Sequence, residues 1–457
     1  MDPAPSSSAP SRTPERPLSR GTVARYAFGS LATGGFATLP GLVLVYYLTD
    51  SLGVTALMAG FIVSLAKVWD VLIDPVIGGL SDRAMARSGT RRGGMLAGAI
   101  GLPVFFVLTF AAPAALPPSW AAVWVLVAFI AAATMFSLFQ VPYIALPAEL
   151  TQGYRERTRL LTWRVVVLTA AILLFGAGGP ELRALFPDDP LRGYLVMAIG
   201  AAVLLAAGLL VGASVAPRGR PVAESVPRQP LLVHYREGIA VLRASQPFRA
   251  LLGAFFLQAV ATGMMLAGAQ FVATWLLQDE SAVTVLFAAL IAPALLVAPV
   301  WQRIARRLGK ERGFRIASLA FLLATAGLVP VIWAPGWWIV APVALAGAAY
   351  AGMQSLPMAM LPDVISHESQ RLPGKAGAFS GVWTAFETTG MALGAGVLTL
   401  VLTLTGYLES TAGVAVEQPP SALTGIALSF SLVPALLMAV SIAVLARYRL
   451  REHNVAR

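Results

Sequence analysis

The sequence contains no cysteine and only 3 histidines, which excludes a disulfide, a thiolate metal site and a cysteine nucleophile. Charge is scarce as well. Asp, Glu, Lys and Arg make up 12% of the 457 residues, about half of their share in soluble globular proteins, whereas 57% of the residues are apolar. This balance excludes an ordinary soluble enzyme and a disordered scaffold. The composition indicates a protein whose solvent is lipid.

Long apolar runs dominate the chain. Twelve of them can each cross a bilayer as a helix, which takes roughly 20 residues. They do not alternate polar and apolar residues, as the strands of a transmembrane barrel would. We therefore expect an all-α integral membrane protein with 12 transmembrane helices.

The connections between these runs differ in charge on the two sides of the membrane. One side carries clusters that include Arg83 and Arg92, and the other carries mostly acids such as Asp188 and Asp279. Because basic residues concentrate in cytoplasmic loops, we predict a multi-pass protein of the cytoplasmic (inner) membrane with both termini cytoplasmic. The net charge of +11 suits loops that face an anionic leaflet. No basic patch with interleaved aromatic residues is visible, so that nucleic acid is not an expected partner.

An internal repeat divides the runs into two sets of six. Residues 83–93, RAMARSGTRRG, match residues 303–313, RIARRLGKERG, at five positions. Parallel repeats of this kind build carriers from two similar halves. The predicted organisation is a disordered cytoplasmic tail (1–20), a six-helix bundle (21–215), a central cytoplasmic loop with a short helix (216–247), a second six-helix bundle (248–447) and a cytoplasmic tail (448–457).

The second run carries a polar stripe. Helical spacing in KVWDVLIDPVIGGLSDR places five side chains within an arc of about 60°, namely Lys67, Asp70, Asp74, Gly78 and Ser81. Ionisable residues in hydrocarbon are costly, so that such a stripe faces a cavity or a partner helix. Two carboxylates one turn apart do not both stay charged there without a cation, which indicates a coupling site. The alternative is a buried ion pair of Lys67 and Asp70 that only fixes helix packing.

The stripe and the loop after it resemble the glycoside–pentoside–hexuronide cation symporters, the melibiose-permease-like branch of the major facilitator superfamily. The motif consists of Asp70, Asp74, Pro75, Gly78, Asp82, Arg83, Gly89 and Arg92. Further matches are Tyr47, Thr49, Asp50, Arg157, Arg159, Arg164, Leu361, Pro362 and Asp363. The resemblance covers nearly the whole chain. It implies the major facilitator fold, with a cation and a solute bound near the midplane during alternating access.

The resemblance also implies which residues bind the coupling ion. Asp70 and Asp74 match the cation-site carboxylates, and Ser137 lies where a hydroxyl ligand is expected. We expect Lys67 to tune the charge of the two acids. Ile73 stands where sodium-using members have a side-chain amide. Because a hard cation takes several oxygen ligands, we expect H⁺ rather than Na⁺ as the coupling ion, and no other cofactor or metal.

The substrate side departs further from the family. Arg164 matches a helix-five arginine near the substrate. Gly34 and Gln140 occupy the places of the sugar-orienting carboxylates, and Thr388 occupies that of a lysine. A glycoside is held by charge-assisted hydrogen bonds, and this site offers fewer of them. The substrate is therefore predicted to be less hydroxylated, or to be something other than a free sugar.

Further polar and aromatic side chains are candidates to line the solute path. They are Gln354, Thr384, Trp383 and Glu387. Amides and hydroxyls in apolar helices also join helices to one another, and this stays the alternative for Gln354 and Thr384. For Glu387 three interpretations are open: a second protonatable group, a counterion of Lys67, or a contact with a neighbouring helix.

The loop charges predict a gating set that consists of Asp82, Arg83, Arg92, Arg303 and Asp363. Asp82 and Arg83 can pair with the start of a neighbouring helix in one conformation and release it in the other. Positive-inside topology alone would also place the arginines in these loops.

These patterns together predict a secondary active transporter of a small organic solute, sugar-like, glycoside-like or related, that works as a monomer in the bilayer. The alternative keeps the fold and changes the cargo to a lipid-like or amphipathic solute that is exported or flipped. An enzyme or a non-transporting sensor is a remote alternative, because the sequence offers no catalytic constellation and only short tails. We expect no enzymatic activity.

Overall fold

The computed structural model describes residues 18–151, 154–217, 231–368, 371–372, 375–412, 414, 416–448 and 450. Most of the two predicted tails, and residues 218–230 of the predicted central loop, lie outside the described residues.

The described chain forms helices joined by mostly short connections. The first six are α1 (Arg20–Tyr46), α2 (Ala56–Ser88), α3 (Arg92–Thr109), α4 (Pro118–Leu150), α5 (Tyr154–Ala184) and α6 (Pro190–Ala213). A short helix, α7 (Leu231–Ala244), precedes the second set. That set is α8 (Gln246–Phe271), α9 (Ala282–Leu308), α10 (Lys310–Ala326), α11 (Val340–Glu368), α12 (Ala376–Leu404), α13 (Pro420–Phe430) and α14 (Leu432–Leu445).

Twelve helical segments of the described chain are long and apolar enough to cross a membrane, which confirms the predicted twelve-span fold. The first and seventh spans each end in a π-helical turn, at Tyr47–Ser51 and Val272–Leu276. The twelfth span is broken at Ser431 into α13 and α14.

Local sequence explains where several helices begin and end. The side chains of Ser19, Asp189 and Ser245 each accept a hydrogen bond from a backbone N–H in the first turn of α1, α6 and α8, as N-capping residues do. Helix α2 ends before Gly89, whose φ of +67° is a left-handed conformation that glycine adopts without a Cβ clash. A tight turn therefore joins α2 to α3.

The two halves repeat one packing scheme. In the first half α1 packs against α5 and α6, α3 against α4 and α6, and α2 against α4. In the second half α8 packs against α12 and α14, α10 against α11 and α14, and α9 against α11. The halves meet where α2 packs against α12, α5 against α9 and α1 against α8. This correspondence is what two parallel six-helix repeats require.

Candidate cation and solute site

The middle of α2 holds a buried acid with one unsatisfied oxygen. Asp70 is buried and lies about 21 Å along the helix from the start of α2, at 1.5 Å per residue. Its Oδ2 is 3.2 Å from Nζ of Lys67, and that ammonium lies 5.5 Å from the ring centroid of Phe36. Its Oδ1 has no hydrogen-bond partner among the described residues. Because buried polar atoms are normally paired, this oxygen is an open position for a proton or a cation.

One turn further along α2, Asp74 lies beside α4. The buried hydroxyl of Ser137 is next to the Asp74 carboxylate. Nε1 of Trp69 donates a hydrogen bond of 2.9 Å to Oγ1 of Thr134, which fixes α2 against α4 at this level. Asp74 is more exposed than Asp70. We call Lys67, Asp70, Asp74 and Ser137 the acid cluster.

The acid cluster offers two carboxylates, one ammonium and one hydroxyl. Within the described part of the chain no group of three or more His, Cys, Asp or Glu side chains is placed to hold a metal ion. The acid cluster therefore places two carboxyl groups beside one ammonium that pairs with Asp70.

Arg164 of α5 lies next to a hydrogen-bonded network that joins α1 and α4. Its guanidinium carbon is 5.5 Å from the ring centroid of Tyr143. The Tyr143 hydroxyl hydrogen-bonds Ser30 at 2.9 Å and donates to the carbonyl oxygen of Tyr26. Nε of Arg164 is buried and has no hydrogen-bond partner in the described structure. An aromatic ring thus supports the guanidinium, while one donor stays available to an acceptor.

The two positions aligned with the family's sugar-orienting carboxylates differ in their surroundings. Oε1 of Gln140 accepts a hydrogen bond of 2.8 Å from Oγ1 of Thr33. A Cβ at Gly34 would lie 2.7 Å from Cβ of Ala171 and 2.8 Å from the carbonyl oxygen of Leu168. Gly34 therefore packs α1 closely against α5, and a carboxylate there would have no room. Gly34 therefore has a packing role in this chain, in keeping with the absence of a carboxylate at this position.

In the second half Glu387 and Gln354 line one small cavity, of about 10 Å³, between α8, α11 and α12. Nε2 of Gln354 donates a hydrogen bond of 3.0 Å to the Tyr350 hydroxyl. The ion pair of Lys67 is formed with Asp70, so that Glu387 is not its counterion in this structure. The structure therefore brings Glu387 and Gln354 together in a cavity that no residue of the acid cluster lines.

The other candidates on α12 differ in exposure. Trp383 is buried and stacks on Phe255, with ring centroids 4.4 Å apart. Thr384 is exposed and Thr388 is partly buried. Trp383 thus packs α12 against α8, whereas the two threonines are less buried.

At the predicted cytoplasmic end of the first half, charges gather around Arg91. Its Nε donates to Glu149 at 2.5 Å, and its Nη1 donates to Asp82 at 2.7 Å and to Ser81 at 2.8 Å. Asp82 therefore pairs with the residue immediately before α3. The sequence did not single out Arg91, because it and Arg92 are adjacent arginines that only tertiary contacts distinguish.

The remaining members of the predicted gating set are spread out. Arg83 and Arg303 are exposed, and Arg92 is partly buried. In the second half Nζ of Lys310 lies 2.6 Å from Oδ2 of Asp363. The pairs of Asp82 and Asp363 each lie within one half of the molecule.

Several hydrogen bonds between the halves lie at the opposite, predicted extracellular end. Tyr407 donates a hydrogen bond of 2.6 Å to Oδ1 of Asp50 and accepts one of 2.9 Å from Nε1 of Trp275. Thr49 donates to Oδ2 of Asp50 at 2.5 Å. Burial and the Asp50 carboxylate raise the pKa of Tyr407 above its ordinary value, so that the phenol keeps the proton it donates. We call Asp50, Trp275 and Tyr407 the outer latch.

Two residues of the outer latch occupy equivalent positions in the two halves. Asp50 and Trp275 are each the fourth residue of a π-helical turn, one at the end of the first span and one at the end of the seventh. A second contact between the halves lies nearby, where Nη2 of Arg183 is 3.0 Å from Oε2 of Glu280. The structure is therefore closed at this end. In the sequence Asp50 is a family match and one of the acids on the predicted extracellular side, and an acid at the end of an apolar span was the one available indication of the latch.

Comparison with known proteins identifies the family. A family model described as MFS/sugar transport protein matches residues 25–452. The chain belongs to this family. A glucuronide carrier protein homolog of Escherichia coli strain K12 is 26% identical over 446 residues, which cover 95% of this chain and 93% of that protein. An uncharacterized symporter of Synechocystis is 25% identical over an alignment of 502 residues that covers 90% of each chain.

A solved structure supports the fold. The nucleoside transporter NupG superposes with a TM-score of 0.63 at 14% identity, over 94% of this chain and 99% of that chain. The family match confirms the resemblance to melibiose-permease-like symporters of the major facilitator superfamily. The chain is thus a multi-pass membrane transporter.

Proposed function

We propose that the chain is a secondary active carrier of the cytoplasmic membrane, with both termini cytoplasmic, that moves a glycoside-like, anionic solute together with a proton. The observation that carries this proposal is the buried Oδ1 of Asp70, which has no partner among the described residues in the middle of a transmembrane helix.

Charge balance favours one coupling ion at the acid cluster. With both acids ionised, Asp70 and Asp74 carry two negative charges against the single positive charge of Lys67. One bound proton makes the cluster neutral, and a neutral cluster is far less costly in a low dielectric than a charged one. The apolar side chain of Ile73 removes a ligand that sodium would use, which favours the proton.

The solute side favours an anionic group. Arg164 keeps a buried donor free of any described partner while its guanidinium rests on Tyr143. An unpaired guanidinium beside a solute path suits a carboxylate or another oxyanion. One relative of similar length is named a glucuronide carrier protein homolog, and a glucuronide carries a carboxylate.

The experiment uses the purified protein in sealed proteoliposomes. The probes are a glucuronide, the neutral glucoside with the same aglycone, and a lysophospholipid. Each probe is offered under an inward proton gradient, under an inward sodium gradient, and with no gradient. We expect accumulation of the glucuronide that depends on the proton gradient and not on sodium. Accumulation driven only by sodium would contradict the choice of ion, and transport of the lysophospholipid alone would favour the amphipathic alternative.

A further inference from the structure

The cavity around Glu387 lies in the second half and belongs to a different set of helices from the acid cluster. Its polar lining comes from Gln258 and Thr262 of α8, Tyr350 and Gln354 of α11, and Glu387 of α12, and the remaining lining is apolar. No basic side chain is among the residues that line it. The cavity is therefore a separate site whose one carboxyl group has no basic side chain beside it in the lining.

The site lies deep in the membrane-spanning region. Gln258, Gln354 and Glu387 lie about 18, 21 and 17 Å along α8, α11 and α12 from the first residue of each helix, at 1.5 Å per residue. These helices contain 26, 29 and 29 residues, so that the three side chains lie near the middle of them. An ionised carboxylate at such a depth is expensive unless it is paired.

Hydrogen bonding around Gln258 fixes which end of its amide points away from its serine partners. Its Nε2 lies 2.9 Å from Oγ of Ser318 and 3.0 Å from Oγ of Ser441. Both serines already donate their own hydrogens to carbonyl oxygens, of Phe314 and Ala254. A serine that has donated its hydrogen can only accept a further bond, so that the amide must present its N–H groups to the two serines.

The carbonyl end of Gln258 consequently points away from the two serines. Its Oε1 is buried and has no hydrogen-bond partner among the described residues, and the residue as a whole is 2% exposed. Nε2 of Gln354 donates one hydrogen to the Tyr350 hydroxyl, and the Gln354 side chain also hydrogen-bonds Glu387. The carbonyl oxygen of Gln258 is therefore the buried acceptor of this cavity that lacks a donor among the described residues. Glu387 lines the same cavity, and a protonated carboxyl there would supply a donor.

The charged and titratable groups on helices packed against α12 do not offer Glu387 a counterion. On α2, Lys67 pairs with Asp70; on α7, Glu237 pairs with Lys375 at the first turn of α12. From α11 the phenol of Tyr350 lines the cavity, and from α8 only the uncharged groups of Gln258 and Thr262 do so. The acid is thus surrounded by neutral groups.

We propose that Glu387 binds a proton in this cavity, so that the second half of the carrier has a proton site of its own. The consequence for transport rests on the proposed function: each cycle would move a second proton, independent of the one at Asp70 and Asp74. The site itself stands on the unsatisfied carbonyl of Gln258 and the absence of a basic side chain from the cavity lining, and it can be tested without knowing the solute.

The test is infrared spectroscopy of the purified full-length protein in bilayers across a pH series. The wild-type spectrum at neutral pH should contain the carbonyl stretch of a protonated carboxyl, and this band should shift in D₂O. Glu387→Gln should lose one such band. The control is Glu181→Gln, which replaces an acid outside this cavity that accepts a hydrogen bond from Thr284. This variant should keep the band. A Glu387→Gln spectrum identical to the wild type at every pH would overturn the proposal.

A second variant covers the case in which Glu387→Gln does not fold. Gln354→Leu removes the amide beside Glu387 and should shift the frequency of the band without abolishing it, and an unshifted band would contradict the proposal. Asp74→Asn should keep the band while losing proton-driven accumulation. The infrared band therefore tests the proton site at Glu387, and proton-driven accumulation separately tests the proposed function.

Discussion

At the residue scale, the Arg164 guanidinium packs on the ring of Tyr143, and its Nε has no hydrogen-bond partner among the described residues. Replacing it by lysine keeps the charge but loses the planar fork that grips an oxyanion. A hydrogen bond to a charged group contributes about 1.5–3 kcal/mol, so that Arg164→Lys should weaken binding of a glucuronide by about tenfold or more. Binding of the neutral glucoside should change less.

The measurement is the affinity of the purified protein for both probes. The control is Arg306→Lys at the exposed end of α9, which should bind the glucuronide as the wild type does. Equal glucuronide affinity in Arg164→Lys and the wild type would contradict the proposal that Arg164 binds the solute.

Also at the residue scale, the sequence predicted partners within one helix better than partners between helices. Lys67 and Asp70 are three positions apart, and such neighbours on a helix meet, as the 3.2 Å pair shows. Gly34 was interpreted through alignment alone, and alignment does not tell which neighbour a position faces. The unsatisfied carbonyl of Gln258 depends on two serines from α10 and α14, which no local pattern brings together.

At the scale of elements, the outer latch joins π-helical turns of the first and seventh spans through the connection after α12. Tyr407→Phe removes the hydroxyl that touches both Asp50 and Trp275. Loss of roughly 1 kcal/mol of hydrogen bonding corresponds to about a fivefold change in an equilibrium. We expect a shift of that order toward the state that is open at the predicted extracellular end.

The absence of native cysteine makes this shift measurable. A cysteine at Leu266, which lies in α8 against Gly41 of α1, reports opening between the halves. A membrane-impermeant maleimide added to intact cells should label Leu266→Cys faster when Tyr407→Phe is also present. Tyr448→Phe, which alters a buried tyrosine at the opposite end, should leave the rate unchanged. An unchanged labelling rate in the presence of Tyr407→Phe would contradict the claim that the outer latch holds this end closed.

Apolar length and loop charge were sufficient to predict all twelve spans, because the bilayer imposes a minimum run of apolar residues. They did not predict the π-helical turns or the break at Ser431. These features depend on packing between helices, and the hydropathy of a run is the same with or without them.

At the scale of the whole molecule, the charge pattern predicts which end faces the cytoplasm. Asp188→Cys, in the connection between α5 and α6, should react with an impermeant maleimide in intact cells. Arg87→Cys, near the end of α2, should react only after the membrane is permeabilised. The unmodified chain is a matched blank because it has no thiol. The reverse labelling pattern would invert the proposed orientation.

The internal repeat of residues 83–93 and 303–313 was enough to predict two similar halves, and the repeated packing of α1–α6 and α8–α14 agrees with it. The contacts between the halves could not be predicted in the same way. In a carrier that alternates between conformations such contacts belong to one state, and a sequence encodes all the states at once.

The most direct test of the account separates uphill transport from exchange in proteoliposomes, with Asp70→Asn and Asp74→Asn compared with the wild type. Under an inward proton gradient the wild type should accumulate the glucuronide above its external concentration. Both variants should only equilibrate it, while exchange of internal for external solute, which needs no net proton movement, should persist. Uphill accumulation at the wild-type level in both variants would contradict the claim that this pair of acids couples the proton to the solute.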